Sequence, residues 1–312
     1  MDQKRIIDEF KELVSIEVHS RDERAIADVL KEKLTTLGLT VTEDKAGEVL
    51  GGNTGNLYAQ LPGSTDGEPV LFSAHMDRVG NHGHIVPLVK EEGKIVSDGT
   101  SILAGDDIGG VAAILAMLRE VKEKQIPHGP IEVAFSVCEE TGVEGSRQYD
   151  FSKFRSKSAF VYDASGKAGT IVLAAPSKGR VTIRVHGVTA HAGNEPEKGL
   201  NALKVAADLI MQLPDGRLSP VSTANFSIIE AGSATNVVCD LVTITGEQRS
   251  RDAKEYQQIS ADIQAAADRI SEKYHTKIEV ELHTLYHAFK LEETARPCVL
   301  AKEAAEAACA VP

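Results

Sequence analysis

Two rhythms of apolar and polar positions run along the chain. Up to about residue 38 helical spacing dominates. Ile6, Ile7, Phe10, Leu13 and Val14 share one face, Ala25 through Leu37 repeat the pattern, and Gly38 is suited to stop the second helix. The stretches "NLYAQLP", "PVLFSAHMD", "IEVAFSVCEE" and "SAFVYDAS" are then apolar on both faces, with the long helix "IGGVAAILAMLREVKEK" among them. Strands without a polar face, joined across a long helix, predict an α/β fold: a mostly parallel central sheet covered by helices. In such sheets the ligand site lies beyond the carboxyl ends of the strands.

From about Gly179 the pattern changes. "RVTIRVHGV" alternates, with Val181, Ile183 and Val185 on one face, and "GLNALKVAADLIMQLP" is helical. "NFSIIEAG" and "NVVCDLVTITGEQRS" read as strands, residues 252–274 as an amphipathic helix, and "TKIEVELHT" as a closing strand. The order β-α-β-β-α-β predicts a ferredoxin-like α+β domain. The expected division is a first domain over residues 1–176, an inserted one over 177–287, and a return to the first in the helical 288–312.

Composition narrows the function classes. Hydrophobic residues at 42% and charged residues at 26% are those of an ordinary globular protein. A net charge of −12 argues against a nucleic-acid backbone or an anionic membrane as partner. With no Trp and 4% aromatics, a stacking surface for single strands is also excluded. Cys138, Cys239, Cys298 and Cys309 show no disulfide-like spacing and read as reduced thiols. The start "MDQKRIIDEF" is a charged helix and not a signal peptide, and no apolar run suffices to span a bilayer, so a cytoplasmic location is expected.

The acids and histidines concentrate at the predicted strand ends. His75 and Asp77 close "FSAHMD", Asp106 and Asp107 precede a glycine-rich helix start, Glu139 and Glu140 end a third segment, and Asp163 a fourth. An isolated His-x-Asp or Asp-Asp pair is more often a surface or capping feature than a ligand set. Four segments converging on one sheet edge are different. Imidazole with carboxylates suits zinc or a similar divalent metal, and a shared carboxylate suits a two-metal hydrolase.

In this order "SAHMD", "GDDIGG", "CEETG" and "VYDAS" resemble the successive metal-site motifs of the M20 family of zinc peptidases. "SDGTSILAGDDIGG" is most similar to the peptidase T (tripeptide aminopeptidase) branch. The resemblance covers nearly the whole chain and implies a catalytic domain with an inserted ferredoxin-like lid through which a homodimer forms. It implies two zinc ions, with cobalt or manganese as alternatives, and a short peptide as substrate. His75 matches a ligand of the first zinc, Asp77 the carboxylate that orients it, Asp106 the bridging ligand, Asp163 a ligand of the first zinc and Glu140 one of the second. Glu139 matches the general base toward a water activated at the metal, and Asp107 is then a helix N-terminal residue favoured by the dipole.

In the lid, His191 resembles a histidine that reaches the active site, often of the partner subunit, to stabilise the transition state. Asn236 and Arg249, or alternatively Arg251, resemble residues that hold the substrate's backbone or carboxylate. His82, His84, His283 and His287 match no ligand. The family also carries a further zinc histidine near its C-terminus, and none of the remaining histidines has that context. The expectation is a shortened or divergent chain whose second metal site is in doubt. An amidohydrolase or carboxypeptidase using the same site is the alternative enzyme, and a noncatalytic binding module the alternative of another class.

Overall fold

The helical rhythm at the start becomes two helices. Asp2 caps α1 (Gln3–Val14) by accepting from the Arg5 N–H, and Phe10, Leu13 and Val14 enter the core. Helix α2 (Arg24–Thr36) buries Ile26, Ala27, Leu30 and Leu34. Then come β1 (Thr40–Glu43), α3 (Ala46–Leu50), β2 (Leu57–Leu61), β3 (Val70–His75), a hairpin of β4 (Pro87–Val89) and β5 (Ile95–Ser97), α4 (Gly105–Glu123), β6 (Ile131–Ser136) and β7 (Ser158–Val161). In this computed structural model, which describes residues 2–80, 83–91 and 93–308, these elements belong to one of two compact units. Unit 1 comprises Met1–Ile171 and Thr294–Pro312, and unit 2 Val172–Glu293. The sequence reading puts its hand-overs at residues 177 and 288.

The sheet of unit 1 has the order β1-β2-β6-β3-β7. Strands β6, β3 and β7 are parallel, whereas β2 is antiparallel to both β1 and β6. The sheet is therefore parallel on the side that carries the acidic strand ends. Every residue of β6 is buried, as an apolar central strand requires. Helix α4 supplies Ile108, Val111, Ile114, Leu115 and Leu118 to the same core.

The edge strand β1 is tied down by charge. Glu43 accepts from both Nη atoms of Arg24 (3.1 and 2.6 Å), from Lys31 Nζ (2.8 Å), from Thr54 Oγ1 (3.0 Å) and from the Gly55 N–H (3.1 Å). Its side chain is only 19% exposed. Burial opposes ionisation, but these donors outweigh it and hold the carboxyl well below its ordinary range. A depressed folded value means the stabilisation is complete above the unfolded carboxylate's pKa, about 4.3, and drains away as pH falls below it toward the folded value. Glu43→Gln is expected to cost about 2 kcal/mol at pH 7. In urea denaturation its gap from the parent chain should narrow steadily below about pH 4; a gap independent of pH would contradict this.

Unit 2 contains β8 (Ala174–Ala175), β9 (Ser177–His186), α5 (Ala202–Ile210), β10 (Gly216–Ser219), β11 (Ser222–Ala231), β12 (Leu241–Ser250), α6 (Ala253–Tyr274), β13 (Ile278–Tyr286) and β14 (Phe289–Lys290). Its antiparallel sheet runs β10-β11-β12-β9-β13, the ferredoxin-like order with β10 added at one edge. Val181, Ile183 and Val185 pack with Val205, Leu209, Ile259, Ile263 and Ile270 from the two helices. After unit 2 the chain returns to unit 1 in α7 (Arg296–Ala307).

Candidate metal centre

Parallel pairing decides where the acids meet. His75 lies opposite Ser136 across β3 and β6, and Ser73 lies opposite Val161 across β3 and β7. The residues just beyond β6 and β7 therefore leave the sheet level with His75. They are Glu139, Glu140 and Asp163. Asp106 and Asp107 arrive from the start of α4, where neither has helical dihedrals (φ/ψ −85°/108° and −116°/27°). Gly110 makes the approach of this helix possible, since a Cβ there would lie 2.8 Å from the Tyr162 carbonyl oxygen.

His75 Nε2 lies 3.0 Å from Asp106 Oδ1 and 4.0 Å from Asp163 Oδ1. His75, Asp106 and Asp163 bring donor atoms within 4.8 Å of one another, and so do His75, Glu139 and Glu140. The imidazole is buried, while the Asp106 side chain is 71% exposed and thus open to an ion and a substrate. The electrostatics are those of a site short of positive charge. Burial pushes Glu139 up to about 7, with Asp163, Glu140 and Asp77 adding repulsion. Burial and the neighbouring Asp106 push Asp163 up to about 6, and Glu140 is raised, chiefly by burial. For His75 burial opposes the charge, yet Asp77, Asp107 and Asp163 outweigh it and lift the ring to about 10. One imidazole nitrogen with several carboxylate oxygens fits a divalent cation by donor chemistry and by reach.

Asp77 is the hub behind this front. Fully buried, it accepts from the Glu139 N–H at Oδ1 (2.9 Å), and from the Glu140 N–H (3.1 Å) and Ser20 Oγ (2.6 Å) at Oδ2. His75 Nδ1 is 2.9 Å from the Asp77 carbonyl oxygen and 3.3 Å from its Oδ1, so backbone and carboxylate share the task of facing the ring. Asp107 stands in the first turn of α4, as expected of a helix N-terminal residue, but its side chain turns to the His75 backbone. It is buried, and its Oδ2 accepts from the His75 N–H at 3.2 Å. Burial, with the Asp163 and Asp106 charges, pushes it up to about 8.

Unit 2 holds the remaining candidates. His191 is exposed, and its Nδ1 accepts from the N–H groups of Gly193 and Asn194, both at 3.2 Å. In a neutral ring that pattern puts the proton on Nε2. Asn236 is its neighbour: the Asn236 carbonyl accepts from the Ala192 N–H, and His191 bridges to Val237. Arg249, on β12, donates from Nε to Glu247 at 2.6 Å, while Arg251 is exposed and reaches the Pro220 carbonyl oxygen. His82 lies outside the described residues. Among the described residues, His84, His283 and His287 join no group of possible metal ligands.

Sequence reasoning missed Ser20. In "SRDE" it stands three residues before Glu23 at a helix start, a spacing that reads as an ordinary capping box. Its true partner, Asp77, is 57 residues away.

Comparison with known proteins adds to this geometry. Residues 176–275 match the peptidase dimerisation domain of the M20 peptidases, and residues 56–194 match peptidase family M28. The crystal structure of the aminopeptidase PepT from Bacillus cereus superimposes with a TM-score of 0.89 at 38% identity, covering 100% of this chain and 84% of that one. A tripeptidase from Staphylococcus aureus gives 0.93 at 32% identity, covering 99% and 83%. The uncharacterized protein YqjE of Bacillus subtilis is 36% identical over 98% of this chain and 82% of its own length.

Proposed function

Since the chain belongs to the M20 family of peptidases, in its peptidase T-like branch, we propose that it is a zinc-dependent aminopeptidase that removes the N-terminal residue from short peptides, tripeptides among them. The observation that carries the reading is the meeting of His75, Asp106, Asp163, Glu139 and Glu140 at the carboxyl edge of parallel strands. The aminopeptidase assignment is drawn from the Bacillus cereus protein and the tripeptide preference from the Staphylococcus aureus one.

In this reading His75, Asp106 and Asp163 would hold one zinc ion, and Asp106 and Glu140 would supply ligands toward a second. A bound divalent cation supplies Lewis acidity, which acidifies water and polarises the scissile carbonyl. Glu139 takes the proton of the attacking water and delivers it to the leaving amine, as a carboxylate at hydrogen-bonding reach of both can. Asp77 keeps Glu139 and Glu140 in register through their N–H groups. From the family likeness, His191 would donate to the developing oxyanion, in this or the partner subunit, and Asn236 and Arg249 would bind the substrate's backbone or carboxylate.

A peptide panel tests the reading. Release of the first residue from Ala-Ala-Ala, abolished by N-acetylation, is expected. Cleavage of the acetylated peptide alone would instead favour an amidohydrolase, and loss of the last residue a carboxypeptidase. Among the described residues no helix is long and apolar enough to cross a membrane; a cytoplasmic location is part of the proposal.

The proposal includes a homodimer through unit 2. Strand β10 pairs with β11 only at Ser222, Thr223 and Ala224, and Ile228 and Ile229 further along β11 are 54% and 51% exposed. An open edge with exposed isoleucines is a template for a second copy. Ile228→Lys is expected to shift the protein from dimer to monomer in sedimentation velocity with its melting temperature little changed. A dimer of unaltered stability would remove this edge from the account.

A further inference from the structure

The loop between α1 and α2 contributes no ligand, yet it reaches the centre from behind at two points. At the first, Ser20 Oγ donates to Asp77. The second point is Glu23, which is 0% exposed. A single oxygen, Oε1, accepts from the N–H of Arg21 and from the N–H of Cys138, both at 3.0 Å, and from Cys138 Sγ at 3.6 Å. Both backbone donors belong to residues in the left-handed region, Arg21 at φ 76° and Cys138 at φ 51°. A residue with a Cβ persists there only where its surroundings over-determine the conformation. One carboxylate oxygen thus pins two unfavourable backbone positions, and one of them immediately precedes Glu139.

The turn pinned in this way is closed upon itself. The N–H groups of Gly142 and Val143 donate to the Glu139 carbonyl, and that of Glu144 to the Cys138 carbonyl. Arg21 Nη2 and Thr141 Oγ1 both donate to Glu144 Oε2. The loop is anchored in turn by the buried Arg78, whose guanidinium donates to the carbonyls of Val18 and Val14. The helix gains nothing comparable, for Glu23 makes no side-chain cap of α2 and the Arg24 N–H is met by Asn53 Oδ1 instead.

We propose that Ser20 and Glu23 are positioning residues of the centre. Glu23 fixes the backbone of Cys138, Ser20 fixes the carboxylate of Asp77, and together they set where Glu139 and Glu140 stand. The inference rests on the metallopeptidase reading above, but its decisive readout is metal binding and not turnover.

The test is a cobalt(II) titration of the full chain, followed by d–d absorption, with Glu23→Ala, Glu23→Gln and Ser20→Ala beside the parent. Removing a partner that orients ligands weakens metal binding about 10–100-fold. Glu23→Ala is expected to fall in that range, with kcat for a tripeptide reduced and KM little changed. Glu23→Gln keeps an acceptor oxygen toward both N–H groups and is expected to restore cobalt affinity to within about threefold of the parent. Parent-like cobalt affinity in a folded Glu23→Ala, or a Glu23→Gln as weak as Glu23→Ala, would overturn the proposal. Should Glu23→Ala fail to fold, Ser20→Ala decides: weakened cobalt binding supports the proposal and unchanged binding overturns it. A parent chain that binds cobalt without cleaving peptides would sink the peptidase reading and leave this comparison intact.

Discussion

Glu139→Gln is expected to keep its metal and to lose about a thousandfold or more in kcat, near the upper end of what a positioned general base contributes. The reasoning starts from the turn. Glu139 and Glu140 are adjacent, and their N–H groups are held by the two oxygens of one carboxylate, Asp77, so their backbones move together. Their side chains nevertheless have different tasks in the proposed mechanism. A glutamine at position 139 has nearly the same volume and leaves both hydrogen bonds to Asp77 in place, but its amide cannot accept the water's proton. A change confined to kcat, with metal content unaltered, therefore isolates proton transfer from metal binding. Glu140→Ala is the control, because a ligand's loss should lower metal content itself. Equal metal loss in Glu139→Gln and Glu140→Ala would show that the two roles are wrongly divided.

The second large effect is expected from His75→Ala: metal retention lost on gel filtration, and peptide cleavage lost with it. His75 is the residue common to both groups of possible ligands and supplies their one nitrogen donor. Its ring also offsets the mutual repulsion of Glu139, Glu140, Asp107 and Asp163. Without it the carboxylates lose the one imidazole ligand that both groups share and, in the metal-free state, a compensating charge. Metal content by mass spectrometry, beside circular dichroism to establish folding, checks the prediction. A folded His75→Ala that retains metal like the parent would move the centre elsewhere.

How far the sequence discloses this arrangement depends on whether a contact comes from strand direction. The apolar runs that end in His75, Ser136 and Val161 announce parallel strands, and parallel strands deliver the residues just beyond them to one edge. The β-α-β-β-α-β rhythm likewise carries the ferredoxin-like order of unit 2. Other features have no local signal. The antiparallel β1 and β2 depend on pairing with β6, and nothing in "TVTE" announces it. Asp107 looks like a helix-start residue until its non-helical backbone turns the carboxylate toward the His75 N–H. Ser20 and Glu23 copy the spacing of a helix cap, and only the long-range folding of the loop against Asp77 and Cys138 gives them other partners. For His191, Asn236 and Arg249 the sequence offers family likeness alone, and the structure adds local geometry: an Nδ1 engaged by two backbone N–H groups and a guanidinium held by Glu247.

The cluster around His75 is proposed as a metal centre that hydrolyses peptides. The most direct test strips the protein of metal and adds zinc back in steps while the release of free alanine from Ala-Ala-Ala is monitored by mass spectrometry. The stripped protein is expected to cleave nothing, and the rate to rise in proportion to zinc bound, up to saturation. Cleavage by the stripped protein at the same rate, or none by a folded protein saturated with zinc, would contradict it.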